Sequence, residues 1–311
     1  MSNILSTDVI IIGGGPAGLT AGIYCLRAGK SVIIFDKYIH GGQTVNTPEI
    51  ENFPTYSNIS GTDFALKLID QVTQLGATIE YGEVIPVNLN NEIKTVSVND
   101  TIYSSKAVII ANGAKRRKLE CSGEEKFTGR GVSYCATCDG AFYKDKTVAV
   151  CGSGNTAIED ALYLSNICKK VYLIIRGKII KSDLILKKAI EQKSNIEIIY
   201  NQTIIDIDGD KSVSKIKTQN TIDHEENVYD VSGVFVAIGL LPDNQLFKKF
   251  IEVDKYGYIK ADENCKTSLG GVFVAGDTRT KKLRQIVTAT SDGAISAYNT
   301  NDYIDTLEIE K

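Results

Sequence analysis

Histidine is scarce in this chain of 311 residues: only His40 and His224 occur, each isolated. A zinc site built on histidine and cysteine would want more ligands at close spacing than that. No apolar run reaches the ~18 residues that span a bilayer, so no membrane partner is expected. The start, "MSNILSTDVIIIGGG", has no basic region ahead of its apolar run and no small-residue cleavage site. A cytoplasmic location is the expectation. Net charge is only -3, which excludes a global pull toward nucleic acid. The five prolines are scattered, and no proline- or glycine-rich hinge marks a domain boundary, so domain limits must come from motifs.

What is present is ordinary globular composition, 43% hydrophobic and 23% charged. A chain of this length favours two domains, each burying its own core. Seven cysteines are spread along it: Cys25, Cys121, Cys135, Cys138, Cys151, Cys168 and Cys265. An odd number in a long chain without a leader argues against a disulfide scaffold.

"TDVIIIGGGPAGLTAGIYCLRAGKSVIIFD" reads as strand, glycine turn, helix, strand. Val9 to Ile12 is continuously apolar, as a parallel strand buried on both faces should be. The helix is predicted over 16–28 and the next strand over 32–35, with Asp36 at its end. Gly13-x-Gly15-x-x-Gly18 is a dinucleotide fingerprint: tight turn, close pyrophosphate approach, helix packed on strand. The phosphate would rest on the helix N-terminus, and Asp36 would accept from ribose hydroxyls. The pattern returns in "KTVAVCGSGNTAIEDALYLSNICKKVYLIIRG". It predicts a strand over 147–151, a glycine turn over 152–157, a helix over 158–167 and a strand over 171–175. Two such units imply an α/β protein with two Rossmann-like, three-layer nucleotide-binding domains. A third landmark, "GGVFVAGDTRT", runs a strand over 272–275 into Gly276 and Asp277.

"GVSYCATCDGAFY" places Cys135 and Cys138 two residues apart, with Asp139 next. A zinc half-site, a structural disulfide and two inert buried thiols are the bland readings. The first lacks partner ligands and the second suits another compartment. A redox pair fits better: one thiolate attacks a disulfide and its neighbour resolves the mixed disulfide. Asp139 could shuttle the proton, although Asp-Gly is also simply a good turn.

These blocks, with "GGQTVNTPEIENFP", "VFVAIGLLPDN" and "GGVFVAGDTRTKKLRQIVTATSDG", resemble the low-molecular-weight thioredoxin reductases over nearly the whole chain. The resemblance implies a pyridine nucleotide-disulfide oxidoreductase fold. Residues 1–115 and 247–311 would form a discontinuous FAD domain, and residues 116–246 a central NAD(P)-type domain carrying the dithiol. FAD would be held by Gly13, Gly15, Ala17, Gly18 and Asp36, with Gly42, Gln43 and Asn52 on the flavin side. Gly276 and Asp277 match the second FAD motif, and Arg284, Gln285 and Ile286 would lie beside the ring. Cys138 would face the flavin, Cys135 would exchange with thioredoxin, and Asp139 would be the general acid. The family also implies a homodimer.

NADPH-dependent members carry His-Arg-Arg-x-x-x-Arg after the second nucleotide strand, whereas here the place reads "IIRGKIIK", keeping Arg176 and, partly, Lys181. Two lost charge-assisted contacts at ~1.5 to 3 kcal/mol each predict weak NADPH binding. No acidic residue suited to NADH ends that strand. In this respect the chain resembles the ferredoxin-dependent flavin thioredoxin reductases, so the expected reductant is ferredoxin. The basic stretches 115–118 and 279–284 are its candidate landing sites, or else solvated surface or a domain junction. An ordinary NADPH-dependent thioredoxin reductase, a flavin dithiol oxidase and a flavin-bound redox sensor without turnover are the competing functions.

Overall fold

The apolar run that opens the chain lies within a longer strand, Leu5–Ile12, whose last four residues are all buried. This strand is central to a seven-stranded sheet in the computed structural model, which describes residues 4–37, 40–47 and 49–309. Pro48, inside the "GGQTVNTPEIENFP" block, lies outside the described residues. On one side Leu5–Ile12 pairs in parallel with Val32–Asp36, which pairs with Thr78–Tyr81. On the other it pairs with Thr101–Ile110. That strand is long enough for two further partners. Its first half takes Lys94–Val98 antiparallel, and its end takes Val272–Val274 in parallel.

The chain divides into two units. One comprises residues 1–115 and 241–311, and the other residues 116–240. The return crossing therefore falls at Leu240/Leu241, which places residues 241–246 in the first unit. The second unit has its own parallel sheet of five strands, in the order Ile196–Tyr200, Lys170–Ile175, Thr147–Cys151, Gly233–Val236, Val132–Ser133. A three-stranded antiparallel sheet, Gln202–Gly209, Val213–Asn220 and Glu226–Asp230, completes it. Each of the two large sheets has buried apolar clusters on both faces, which is why its central parallel strands read as runs of Val and Ile.

Most elements begin and end within a residue or two of expectation: the first helix spans Pro16–Arg27, with Ala28 as its cap. The second nucleotide helix differs. It runs Asn155–Ser165 rather than 158–167, because the turn closes at Gly154 and Asn155 is already anchored. The Asn155 side chain donates to Asp183 Oδ2 at 2.9 Å and accepts from the Asp183 N–H at 3.0 Å. Among the described residues, no helix is long and apolar enough to cross a membrane.

Candidate active site

The first glycine turn is shaped by contacts that no side chain would survive. A Cβ on Gly18 would lie 1.9 Å from the Gly13 carbonyl oxygen, so the helix can sit on the turn only with glycine there. Gly13 adopts φ +114°, and its Cβ would meet the Ala111 carbonyl at 2.3 Å. Gly15 is different: a Cβ there meets only the Gly42 Cα, at 3.8 Å. Gly15 therefore leaves space that the fold does not need for itself. Asp36 closes the far side, its Oδ2 accepting from the Gly14 N–H at 2.6 Å.

Distant segments complete this cradle within the first unit. Gly42, at φ +59°, faces Gly15, and Gly276, at φ +78°, would drive a Cβ to 2.9 Å from Ala17. Asn52 donates to Gln285 at 3.0 Å, joining the segment after Gly42 to the start of the C-terminal helix, Ile286–Ile309. Arg284 reaches the Asp277 carbonyl at 3.4 Å, and its guanidinium stacks over Tyr258 at 4.2 Å. Gln43 is exposed, within the single turn Gly42–Asn46. The structure thus brings together the residues assigned to FAD from both ends of the chain. Glycines face one another around the turn where a pyrophosphate needs room, and N–H groups end a helix there, so the donor set fits the group.

In the second unit Cys135 and Cys138 form a disulfide, with Cα atoms 5.3 Å apart. The bond closes a loop of four residues, which restrains the unfolded chain by only about 2 kcal/mol. It is a poor staple and a suitable redox couple. The turn is built by Ser133, which sequence reading missed. Its hydroxyl accepts from the Cys135 N–H at 3.1 Å and donates to Asp139 Oδ2 at 2.5 Å. Burial raises the Asp139 carboxyl above its usual range, and Ser133 and the cation of Arg116 pull it part of the way back. A half-buried acid thus sits one residue from the dithiol. The other five cysteines are free. Burial pushes Cys25, Cys151 and Cys265 up to about 12, and Cys121 and Cys168 up to about 11. Thiols held protonated in this way are poor nucleophiles.

The second glycine turn is equally well formed: Gly152 takes φ +148°, and its Cβ would meet the Ala237 carbonyl at 2.4 Å. A Cβ on Gly154 would meet nothing within 4 Å. Ile175 ends the next strand fully buried. After it, Arg176, Lys178 and Lys181 are exposed in one loop, tied back to the turn by the Lys181 N–H to Ser153 carbonyl bond at 2.7 Å. Counting only motif positions therefore understates the cations at this turn.

The basic stretch 279–284 is only partly the exposed surface that a landing site or a solvated stretch requires: Lys282 is exposed, but two of its cations are not. Arg279 and Lys281 turn inward and pair with Asp292 at 3.0 and 2.7 Å, with side chains only 11% and 10% exposed. In 115–118, Arg116 is turned toward Tyr134, its guanidinium 5.8 Å from the ring centroid.

A family model described as pyridine nucleotide-disulphide oxidoreductase matches residues 7–293, and the chain belongs to that family. Within it, the chain is 42% identical over 302 residues to a thioredoxin reductase of Listeria innocua, covering 97% of this chain and 95% of that protein. The fold is that of a thioredoxin reductase from Streptococcus pyogenes, at TM-score 0.92 and 37% identity over 98% of this chain and all of that one. A ferredoxin-flavin thioredoxin reductase from Clostridium acetobutylicum aligns at TM-score 0.54 and 31% identity, covering 98% and 100%. The protein is a flavin-dependent oxidoreductase acting on sulfur groups, of the thioredoxin reductase kind. The expectation of ferredoxin in place of a pyridine nucleotide is not favoured: relatives that carry the plain thioredoxin reductase name align better than the ferredoxin-linked one.

Proposed function

We propose that this enzyme reduces the disulfide of thioredoxin with electrons drawn from NADPH through FAD and the Cys135–Cys138 pair. The carrying observation is that disulfide, the one bonded pair beside five free cysteines whose thiols are desolvated. FAD, when bound, supplies the two-electron relay. Gly13, Gly15, Ala17 and Gly18 would take its pyrophosphate, Asp36 its ribose, and Gly42, Gln43 and Asn52 with the segment Gly276 to Ile286 its flavin side. The first unit is on this reading the FAD domain, and the second the pyridine-nucleotide domain carrying the dithiol.

The protein's own chemistry then follows. Two electrons and two protons open the Cys135–Cys138 bond to a dithiol. The Cys135 thiolate attacks a sulfur of the thioredoxin disulfide, Cys138 attacks Cys135 in the mixed disulfide, and dithiol thioredoxin leaves as the intramolecular bond reforms. Asp139, whose carboxyl burial shifts toward the protonated form, gives a proton to the leaving thiolate and recovers it from the incoming thiol.

NADPH is favoured by the pyridine-nucleotide family match, by the competent Gly152 to Gly154 turn and by the three cations of the loop after Ile175. Ferredoxin is the second reading. It keeps one specific support, the buried Ile175 and bare Gly177 where the NADPH-dependent relatives carry His and Arg. Anaerobic reduction of the flavin by NADPH, NADH and reduced ferredoxin in parallel decides between them. Rapid bleaching by NADPH at tens of micromolar is expected. Bleaching by ferredoxin alone would return the donor assignment to the second reading and leave the dithiol chemistry intact.

A further inference from the structure

We propose that Arg279, Lys281 and Asp292 form a buried cationic clamp, with one net positive charge, that seats the Gly276–Thr278 turn and favours flavin reduction. The proposal rests on the assignment of FAD to this turn. The turn is tied to the clamp by its first residue. Asp292 Oδ2 accepts from the Gly276 N–H at 3.0 Å and from Lys281 Nζ at 2.7 Å, while Oδ1 accepts from Arg279 Nη1 at 3.0 Å. Arg279 also donates to the Asp262 carbonyl at 2.7 Å, and Lys281 to the Thr288 carbonyl at 3.2 Å. One carboxylate is therefore shared by two cations and a backbone donor.

The charge count is what makes the cluster more than a strut. Arg279 and Asp292 are buried, and Lys281 is nearly so, its side chain 10% exposed. Two cations against one anion leave a positive charge that burial makes costly. Of the other charges nearby, Asp277 in the turn itself is half-buried and is matched by one cation, Arg284, which donates to the Asp277 carbonyl at 3.4 Å, while Asp262 is exposed and accepts from its own loop's N–H groups, so solvent screens it. An excess buried cation beside a cofactor loop acts on whatever charge that cofactor gains. Two-electron reduction of a flavin with uptake of one proton leaves the ring system anionic, and a fixed positive charge stabilises that product over the neutral oxidised form. Protein charge near the ring is a recognised control of flavin electronics. The turn is also the place where such a charge is mechanically coupled, since Gly276 packs on Ala17 of the nucleotide-turn helix.

The test compares two variants that break the same ion pair and change the charge in opposite directions. Lys281→Met lowers the cluster from one positive charge to none, and Asp292→Asn raises it to two. Flavin midpoint potentials of the holoenzymes are measured by anaerobic dye titration without pyridine nucleotide or thioredoxin. A unit charge acting over roughly 10 Å shifts the reduction equilibrium about tenfold. That is about 30 mV for a two-electron couple. We expect Lys281→Met to shift the potential downward and Asp292→Asn upward by about this much. The double variant, with the charge restored, should lie near wild type. Shifts of the same sign in both single variants, or none in either, would overturn the proposal, since loss of a merely structural bond has no sign. Should Asp292→Asn not fold, Lys281→Arg keeps the charge and must keep the wild-type potential while Lys281→Met does not. FAD titration of the apoprotein separates the underlying reading: wild-type apoprotein that takes up no FAD refutes the cofactor assignment itself.

Discussion

Replacing Gly15 and Gly18 in turn by alanine separates a glycine kept for the ligand from one kept for the fold. At Gly18 the added Cβ lies 1.9 Å from the Gly13 carbonyl oxygen, which is backbone and cannot swing aside. The helix Pro16–Arg27 must lift off the sheet or the turn must open. Overpacking of this kind costs about 1–3 kcal/mol, and the backbone contact places Gly18→Ala at the upper end. For a unit of this size, each kcal/mol moves the melting temperature by about 2–4 °C, so the apoprotein should melt roughly 4–10 °C lower. At Gly15 the Cβ has 3.8 Å to its nearest neighbour, and the backbone, φ -82° and ψ -177°, suits alanine. Gly15 caps the helix, where alanine costs about 0.5–1 kcal/mol, and the stiffer unfolded chain returns about the same. Apoprotein stability should change by less than about 1 kcal/mol. Yet the methyl group fills the space through which a pyrophosphate approaches the N–H groups. Loss of two charge-assisted bonds would weaken FAD binding by about a hundredfold or more. Thermal melts of the apoproteins and FAD titration by fluorescence quenching read both effects. Wild-type FAD affinity in Gly15→Ala would refute the cradle, and an unaltered melt for Gly18→Ala would refute the packing argument.

Cys135→Ser and Cys138→Ser should each abolish thioredoxin-disulfide turnover while keeping FAD, as exchange needs both an attacking and a resolving sulfur; residual turnover above a few per cent in either would count against the assignment. Burial raises the Asp139 carboxyl, so a proton-donor limb should fall as pH rises through its pKa. Ser133→Ala removes a bond that favours the ionised form, so that limb should move to higher pH, and Asp139→Asn should remove it; rate profiles of thioredoxin reduction against pH check the order. Asp160, half-buried on the second nucleotide helix, is pushed up to about 7 by burial and by the neighbouring Glu159. Its folded pKa lies above the unfolded value of 3.8. Stability from this group is therefore full below about pH 4 and is lost as pH rises through about 7. Asp160→Asn should thus gain on the order of 2 kcal/mol over wild type at pH 8 and little at pH 4, read from urea midpoints at both.

Much of this was legible because the decisive spacings are local. Gly13, Gly15 and Gly18 stand within one strand-turn-helix passage, and Cys135, Cys138 and Asp139 within one short turn, so sequence distance and spatial distance nearly coincide. Asn52 with Gln285, and Ala17 with Gly276, are far apart in the chain, and a family resemblance was needed to put them together. Ser133 escaped notice since a serine two residues before a cysteine has no signature of its own; only the fold shows its hydroxyl bridging the Cys135 N–H and Asp139. The run 279–284 misled for a related reason. A string of Arg and Lys reads as surface, and nothing nearby in sequence reveals that Asp292, one helical passage later, draws two of them inside.

The electron donor shows the same limit from the opposite direction. Subtracting a missing His and a missing Arg from a motif treats each cation as fixed to one position, whereas a phosphate is held by whatever positive charge reaches it. Lys178 is outside the motif, yet it shares an exposed loop with Arg176 and Lys181, and the backbone of Lys181 anchors that loop to the turn. The two glycine turns also differ in a way that composition hides. The first is met by Gly42 and Gly276 from distant segments, so a ligand there would be contacted from three parts of the chain. The second leaves Gly154 facing open space and its cations in solvent. Enclosure from several segments suits a resident cofactor, which must be released against many contacts at once. An open turn with solvated cations suits a ligand that binds, reacts and departs each cycle, where tight pairing would slow release. On the proposed reading, the same strand-turn-helix unit, used twice, serves both ends because its surroundings differ.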